Sequence, residues 1–140
     1  IMKKAAIIYN SRTGITKKYA EQIGDYLNNK GVETNVLPIQ QYEDAILDDI
    51  DYLLLGCWTN GLFFFFQHPD KAWKDFAASL PNPLKPKTAL FTTYKLLTGT
   101  MFKNMRRQLN GSVNTSLTEL KSRNGRLSEN DEKILDHFTG

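Results

Sequence analysis

Cysteine and histidine are nearly missing from this 140-residue sequence, which has one Cys and two His. Cys57 alone cannot close an intrachain disulfide, and no set of Cys and His stands at zinc or iron–sulfur spacing, so a structural metal is not expected. Long apolar runs are missing too: no stretch reaches the roughly 18 residues that a membrane-spanning helix needs. Ile1-Met2-Lys3-Lys4 leads directly into a short apolar segment rather than a signal-peptide core, so a cytoplasmic location without membrane insertion is expected. Charge of one sign is only modestly in excess, at +3 with a pI near 9.0. The basic residues are dispersed along the chain apart from a small group at Lys103, Arg106 and Arg107. With no RNA- or DNA-binding motif beside them, nucleic acid is not an expected partner.

The residues that are present have the balance of a globular protein. Hydrophobic residues make up 41% and charged residues 24%, near the averages for folded domains and far from those of disordered chains. Residues 2–140 have the length for one domain with one core. Strand-length apolar runs alternate with segments of helical period, which argues for βαβ units around a parallel sheet covered on both faces. Lys4 to Tyr9 is continuously apolar after its lysine and reads as a buried first strand. From Thr16 onward, Tyr19, Ala20, Ile23 and Leu27 recur at helical spacing, and Gly31 is placed to end that helix in a left-handed cap.

Further along, Glu33 to Leu37 reads as the second strand, Tyr42 to Leu47 as a brief helix, and Tyr52 to Gly56 as the third strand, followed by a long loop. Asp70 is a candidate N-cap for a helix bearing Trp73, Phe76, Ala77 and Leu80. Thr88 to Thr92 reads as the fourth strand. Thr98 is a candidate cap for a helix with Phe102, Met105 and Leu109 on one face. A weaker fifth strand is expected around Leu117 to Lys121, and Ser128 with Asp131 resembles a capping box before the last helix. The expected total is five strands and five helices.

Between the first strand and helix stands Ser11-Arg12-Thr13-Gly14-Ile15-Thr16. Three hydroxyls and several backbone N–H groups sit there at a helix N-terminus, where the dipole favours an anion such as phosphate. Gly-x-x-x-x-Gly-Lys-Ser/Thr and Gly-x-Gly-x-x-Gly are both absent after this strand, which removes support for nucleoside triphosphate and dinucleotide sites. A ligand-free N-cap built from Ser and Thr remains the alternative.

These residues resemble the flavodoxin family, whose first loop follows Ser/Thr-x-Thr-Gly-x-Thr directly after strand one; Ser11, Thr13, Gly14 and Thr16 match each fixed position. Leu55-Gly56-Cys57 through Gly61 is similar to the family's first flavin loop, and Ala89 to Phe102 to its second. The resemblance implies a doubly wound five-stranded parallel sheet of order 2-1-3-4-5, with FMN beside the topological switch point. It implies that Ser11, Arg12, Thr13, Gly14, Ile15 and Thr16 hold the phosphate. The ring would lie between Trp58, Thr59, Asn60 and Gly61 on one side and Thr92, Thr93, Tyr94, Lys95 and Leu96 on the other. Asn60 and Leu96 stand where relatives often carry ring-flanking Trp, Met or an aromatic, so Trp58 and Tyr94 are the candidate ring contacts. Gly61 resembles the glycine whose peptide can turn its carbonyl toward the flavin N5 on reduction.

Other residues leave two readings open. Phe63 to Phe66 cannot all face one core, and they serve either as a lid or docking patch or as loop anchors. His68 is either a proton donor or structural, and Cys57, with no second Cys to resolve an oxidised form, reads as core packing. The leading expectation is an FMN-binding electron-transfer protein with a redox protein partner. The alternatives are a small FMN-dependent quinone or oxidoreductase-type reductase, or a flavin-free module binding phosphate ligands or proteins. Leu62 replaces a carboxylate found near the ring in some relatives, and Lys95 stands close by, so less charge repulsion is expected against an anionic reduced flavin. The sequence therefore predicts a less negative potential for full reduction than acidic flavodoxins show; a redox titration reaching values as low as theirs would reject it.

Overall fold

The chain's alternating strand and helix patterns form five parallel strands between two helical layers. The computed structural model describes residues 2–62, 65–109 and 117–140, with the backbone alone for residues 61–62 and 65–66. The strands of the main sheet are β1 (Lys4–Asn10), β2 (Glu33–Pro38), β3 (Tyr52–Trp58), β6 (Lys87–Thr93) and β7 (Thr118–Ser122). Between β3 and β6 in the chain stand β4 (Asn60–Leu62) and β5 (Phe65–His68), which form a separate antiparallel pair. The main sheet has the order β2-β1-β3-β6-β7 with every pairing parallel. Counting its strands alone, this is the expected order 2-1-3-4-5.

Side-chain alternation divides the core between the two faces. Ala5, Ile7 and Tyr9 of β1 point to one face with Leu54, Ala89 and Phe91. There they meet Tyr19, Ala20, Ile23 and Leu27 of α1 (Ile15–Asn29), and Leu135 and Phe138 of α4 (Glu129–Thr139). Ala6 and Ile8 point to the other face with Leu53, Leu55, Cys57 and Leu90. They meet Trp73, Phe76 and Ala77 of α2 (Lys71–Ala78), and Met101, Phe102 and Met105 of α3 (Met101–Gln108). Because both faces are covered, the central strands carry apolar residues at nearly every position. Gly56 has a packing reason within β3, since a Cβ there would stand 2.0 Å from the Phe91 ring.

Several elements differ from the sequence expectation. The segment expected as a brief helix over Tyr42 to Leu47 holds a short 3-10 helix, Asp44–Leu47, and another, Ile39–Gln41, precedes it directly after β2. The connection after β3 is not simply a long loop but holds the β4–β5 pair; Phe63 and Phe64 lie outside the described residues, as do the side chains of Phe65 and Phe66. Asp70 begins α2 through its carbonyl, which accepts from Lys74 N at 3.0 Å. Its carboxylate does not cap that helix, because it is engaged by Asn10 Nδ2 at 3.0 Å. Thr98 likewise precedes α3 in a turn, its carbonyl accepting from Met101 N, and the helix starts after Thr100. Against the expected five strands and five helices, the described residues hold seven strands, five of them in the main sheet, with four α-helices and two short 3-10 helices.

Two expected helix ends are present. Gly31 has φ of +87° just beyond α1. Ser128 Oγ accepts from Asp131 N at 3.0 Å while the Asp131 carboxylate accepts from Ser128 N at 3.2 Å, completing a capping box. That carboxylate also accepts from the buried Tyr19 hydroxyl at 2.9 Å, so the cap of α4 is bonded to the middle of α1.

Burial, followed by the adjacent Asp131 charge, raises the Tyr19 phenol well above the usual tyrosine value. Burial likewise pushes the Cys57 thiol up to about 12. In the unfolded chain both groups lose protons first, so between about pH 9 and 12 the folded state binds more protons than the unfolded one. Stability is then full below about pH 9 and falls by up to ~1.4 kcal/mol per pH unit for each group above it. Urea denaturation on either side of that window checks the slope; a midpoint unchanged through it would contradict these shifts.

Candidate functional site

The strand order dictates where a site can form. β1 connects through α1 to β2 on one side, whereas the chain then crosses to β3 on the other, so the connections diverge between the carboxyl ends of β1 and β3. Such a switch point leaves a crevice that the sheet cannot fill. Asn10 of β1 is in register with Cys57 of β3, Cys57 with Thr92 of β6, and Thr93 with Ser122 of β7. The segments following these residues therefore emerge side by side. They include Ser11–Thr16, Trp58–Asn60 with the following Gly61, and Tyr94–Leu96, together with Arg123–Leu127.

The first segment makes its corner at Gly14, whose φ of +95° and ψ of −8° suit glycine far better than an L side chain. Space is open where a Cβ would stand. Gly14 N donates to Ser11 Oγ at 3.0 Å, tightening the turn, and Gly14 O accepts from Lys18 N as α1 begins. No side chain caps α1, and its first turn has no acidic residue. The leading N–H groups of this 15-residue helix are thus open to an anion with the helix dipole behind them.

The three hydroxyls do not all face that opening. Thr13 is exposed, Ser11 accepts the Gly14 N–H, and Thr16 is buried with Oγ1 2.5 Å from Thr93 Oγ1. Thr16 is instead part of a set of short hydroxyl bonds that fasten the strand ends together. Thr92 Oγ1 donates to Cys57 O at 2.6 Å and lies 2.8 Å from Thr59 Oγ1, while Thr59 N donates to Thr93 O at 2.9 Å. Tyr94 N donates to Ser122 O at 3.1 Å. These bonds continue the sheet ladder by one residue and hold the loop roots at fixed spacing.

Two half-buried aromatic rings rise from these roots. The Trp58 ring lies under the Arg12 guanidinium, 5.2 Å from ring centroid to Cζ. Arg12, expected in the phosphate loop, thereby spans two of the converging segments. Tyr94 carries Lys121 Nζ at 5.9 Å and Arg123 Cζ at 5.7 Å over its ring. Neither Lys121 nor Arg123 was among the expected site residues, since both lie on or after the weakest strand. Their placement follows from Ser122, whose hydroxyl accepts from Gly125 N and donates to Arg126 O, turning the chain back across the sheet end.

A second set of residues absent from the expectation supports the loops from behind. Thr100 Oγ1 and Asn104 Nδ2 both donate to Gln67 O, at 2.9 and 2.8 Å, tying β5 to the start of α3. Gly99 sits against the Gln67 side chain, where a Cβ would stand 2.2 Å from its Oε1. His68 donates from Nδ1 to Pro69 O at 2.9 Å, which fixes the ring locally. Beyond Tyr94, an open cleft of about 450 Å³ runs between α3 and the start of α4, lined among others by Lys103, Arg106, Lys121 and Asn130.

Cys57 is fully buried with its thiol pushed up to about 12, which suits a packing residue and not a nucleophile. The described residues contain no group of three or more His, Cys, Asp or Glu that could hold a metal, and no helix among them is long and apolar enough to cross a membrane.

Comparison with known proteins gives a consistent picture. A family model described as a flavodoxin domain matches residues 6–129. Flavodoxin 1 from Bacillus cereus superposes with a TM-score of 0.68 at 23% identity, covering 98% of this chain and 95% of that one. Two-electron reduced flavodoxin from Megasphaera elsdenii gives 0.72 at 18% identity, covering 96% of both chains. Rubredoxin oxygen:oxidoreductase from Desulfovibrio gigas gives 0.70 at 16% identity over 96% of this chain and 34% of that one.

The hydroxyl bonding separates the roles of two threonines in one loop. Thr16→Val leaves the buried Thr93 hydroxyl without its partner and is expected to cost about 1–2 kcal/mol of stability. Thr13→Val, at an exposed position, is expected to stay within about 0.5 kcal/mol of the parent. Equal urea midpoints for the two variants would show that the Thr16–Thr93 bond does not hold the loop roots.

Proposed function

Because this chain belongs to the flavodoxin family, we propose that it binds FMN at the carboxyl ends of β1, β3 and β6 and transfers electrons to or from a protein partner. The observation that carries the reading is the uncapped N-terminus of α1 behind the open left-handed corner at Gly14. A phosphate fits it without a metal: the leading N–H groups have no side-chain cap, the dipole is favourable, and residues 11–18 hold no carboxylate. FMN, when bound, supplies the electron-accepting and electron-donating chemistry.

The protein's own residues do the rest. Arg12, Thr13, Ile15 and Thr16 would offer backbone N–H groups to the phosphate, and the Ser11 and Thr13 hydroxyls would add to them. Trp58 and Tyr94 would flank the ring and exclude water from its faces, which alters the relative energies of the oxidation states as well as affinity. The Thr59–Thr92 bond would keep the two ring loops at constant separation, and the Thr16–Thr93 bond would fix the phosphate segment against the second of them, so little reorganisation accompanies electron transfer. Gly61 would present its peptide to the ring edge. Lys95, Lys121 and Arg123 would lower the energy of added negative charge at short range.

The test is a titration of purified apoprotein with FMN, read by flavin fluorescence and absorbance. One-to-one saturable binding is expected, weakened at least about tenfold by Gly14→Val, because valine disfavours the positive φ that opens the helix end. Thr13→Ala is expected to weaken binding by a smaller factor. A folded wild-type protein that binds no FMN would overturn the proposal.

A further inference from the structure

The lysines and arginines that look dispersed in sequence are sorted by the fold. At the amino end of the sheet Lys3 pairs with Asp51 and Lys4 with Glu33 and Asp49, while Lys87 donates to Phe138 O. At the carboxyl end, Arg12, Lys95, Lys103, Lys121 and Arg123 are all exposed, and among the described residues none of them forms an ion pair. Arg106, lining the cleft beyond Tyr94, is the neighbour that does, with Glu119. The loop segments 11–18, 94–103 and 121–128 contain no Asp or Glu at all.

Several of these cations are neighbours. Lys103 and Lys121 line one cleft together with Tyr94, where the two carboxylates present are already engaged, Glu119 with Arg106 and Asp131 with Tyr19 and the cap of α4. Lys121 and Arg123 both lie over the Tyr94 ring, and Arg123 Nη2 reaches Leu96 O at 3.5 Å. Arg12 lies over Trp58 at the end of β3, two strands from β7 on the same edge. Apolar surface lies at the same end: of the four large hydrophobic side chains exposed among the described residues, Ile15, Leu96 and Leu97 are all in segments that follow the carboxyl ends of the strands, at 39%, 49% and 45% exposure. Single exposed leucines are ordinary, but apolar side chains that share one face with charged ones suit a protein interface.

We propose that this cationic rim, together with Ile15, Leu96 and Leu97, is the docking face for a partner protein whose own contact surface is acidic. The proposal rests on the redox reading above for the partner's task, and on charge complementarity for its chemistry. Unpaired like charges on one face steer an oppositely charged protein and repel a basic one, with an effect that fades as salt shortens the Debye length. A protein is favoured over nucleic acid because exposed apolar side chains share this face with the cations.

The test is a titration of the ¹⁵N-labelled chain, with and without FMN, against an acidic haem protein of the cytochrome b type and against basic cytochrome c. Amide shifts are followed at low and at physiological ionic strength. Expected are shifts confined to segments 11–18, 94–103 and 121–128 with the acidic protein, affinity falling several-fold as salt rises, and markedly weaker binding of cytochrome c. Lys103→Glu with Arg123→Glu should reduce affinity about tenfold, whereas Lys30→Glu with Lys85→Glu, an equal change in net charge elsewhere, should leave it within about twofold. Preference for cytochrome c, shifts elsewhere, no binding of the acidic protein, or equal losses in the two double variants would overturn the proposal. So would tighter binding of a single-stranded oligonucleotide to the same segments. Because the shifts do not require flavin, a chain that holds no FMN but shows the expected pattern retains the docking face and loses only the redox reading.

Discussion

A parallel sheet covered on both faces has its backbone satisfied along the strands but not beyond them, and this constraint organises the whole molecule. The central strands give up side-chain alternation of polarity because neither face meets water. Every connection must then return across a helix, so all strand ends of one polarity gather at one rim. The switch between β1 and β3 opens that rim at a single place. The loops there inherit their positions from the register of Asn10, Cys57, Thr92 and Ser122. They need only short polar bonds to become well defined, and the threonine hydroxyls supply those bonds.

Electrostatics adds a second level of organisation on the same frame. The helix dipole of α1 and the side-chain cations act at different ranges: the former on a group held against the amides of one turn, the latter across the whole rim. Neither is offset locally by acidic side chains in the three loop segments. The chain keeps the flavodoxin scaffold while these three segments carry exposed cations and no Asp or Glu. The charge a fold presents to its surroundings can thus be set by loop residues outside its core.

Much of this was legible from residue order. The five sheet strands, the four α-helices, the Gly31 terminator and the Ser128–Asp131 cap follow from apolar period and capping chemistry, with ends displaced by a residue or two. The β4–β5 pair was not legible, because Asn60-Gly61-Leu62 and the aromatic run after it show no polar–apolar alternation. Asp70 looked like a helix cap because its type and position suit one; its carboxylate was claimed by Asn10, sixty residues away. The positively charged rim was hidden for the same reason: Arg12, Lys95, Lys103, Lys121 and Arg123 are scattered in sequence, and the sheet register alone brings them together. The loop threonines were readable as a group, but which hydroxyl faces inward depended on Thr93 of another strand.

The double hydrogen bond onto the Gln67 carbonyl also has a mechanical meaning. Thr100 and Asn104 tie β5, which follows the segment after β3, to the start of α3, which follows the segment after β6. The phosphate corner belongs instead to α1, which is fastened to α4 through Tyr19 and Asp131. The two braced bodies meet in the sheet and at the Thr16–Thr93 hydroxyl bond, with Arg12 lying over Trp58 between them, so a planar molecule entering between them would part those contacts and leave each brace intact.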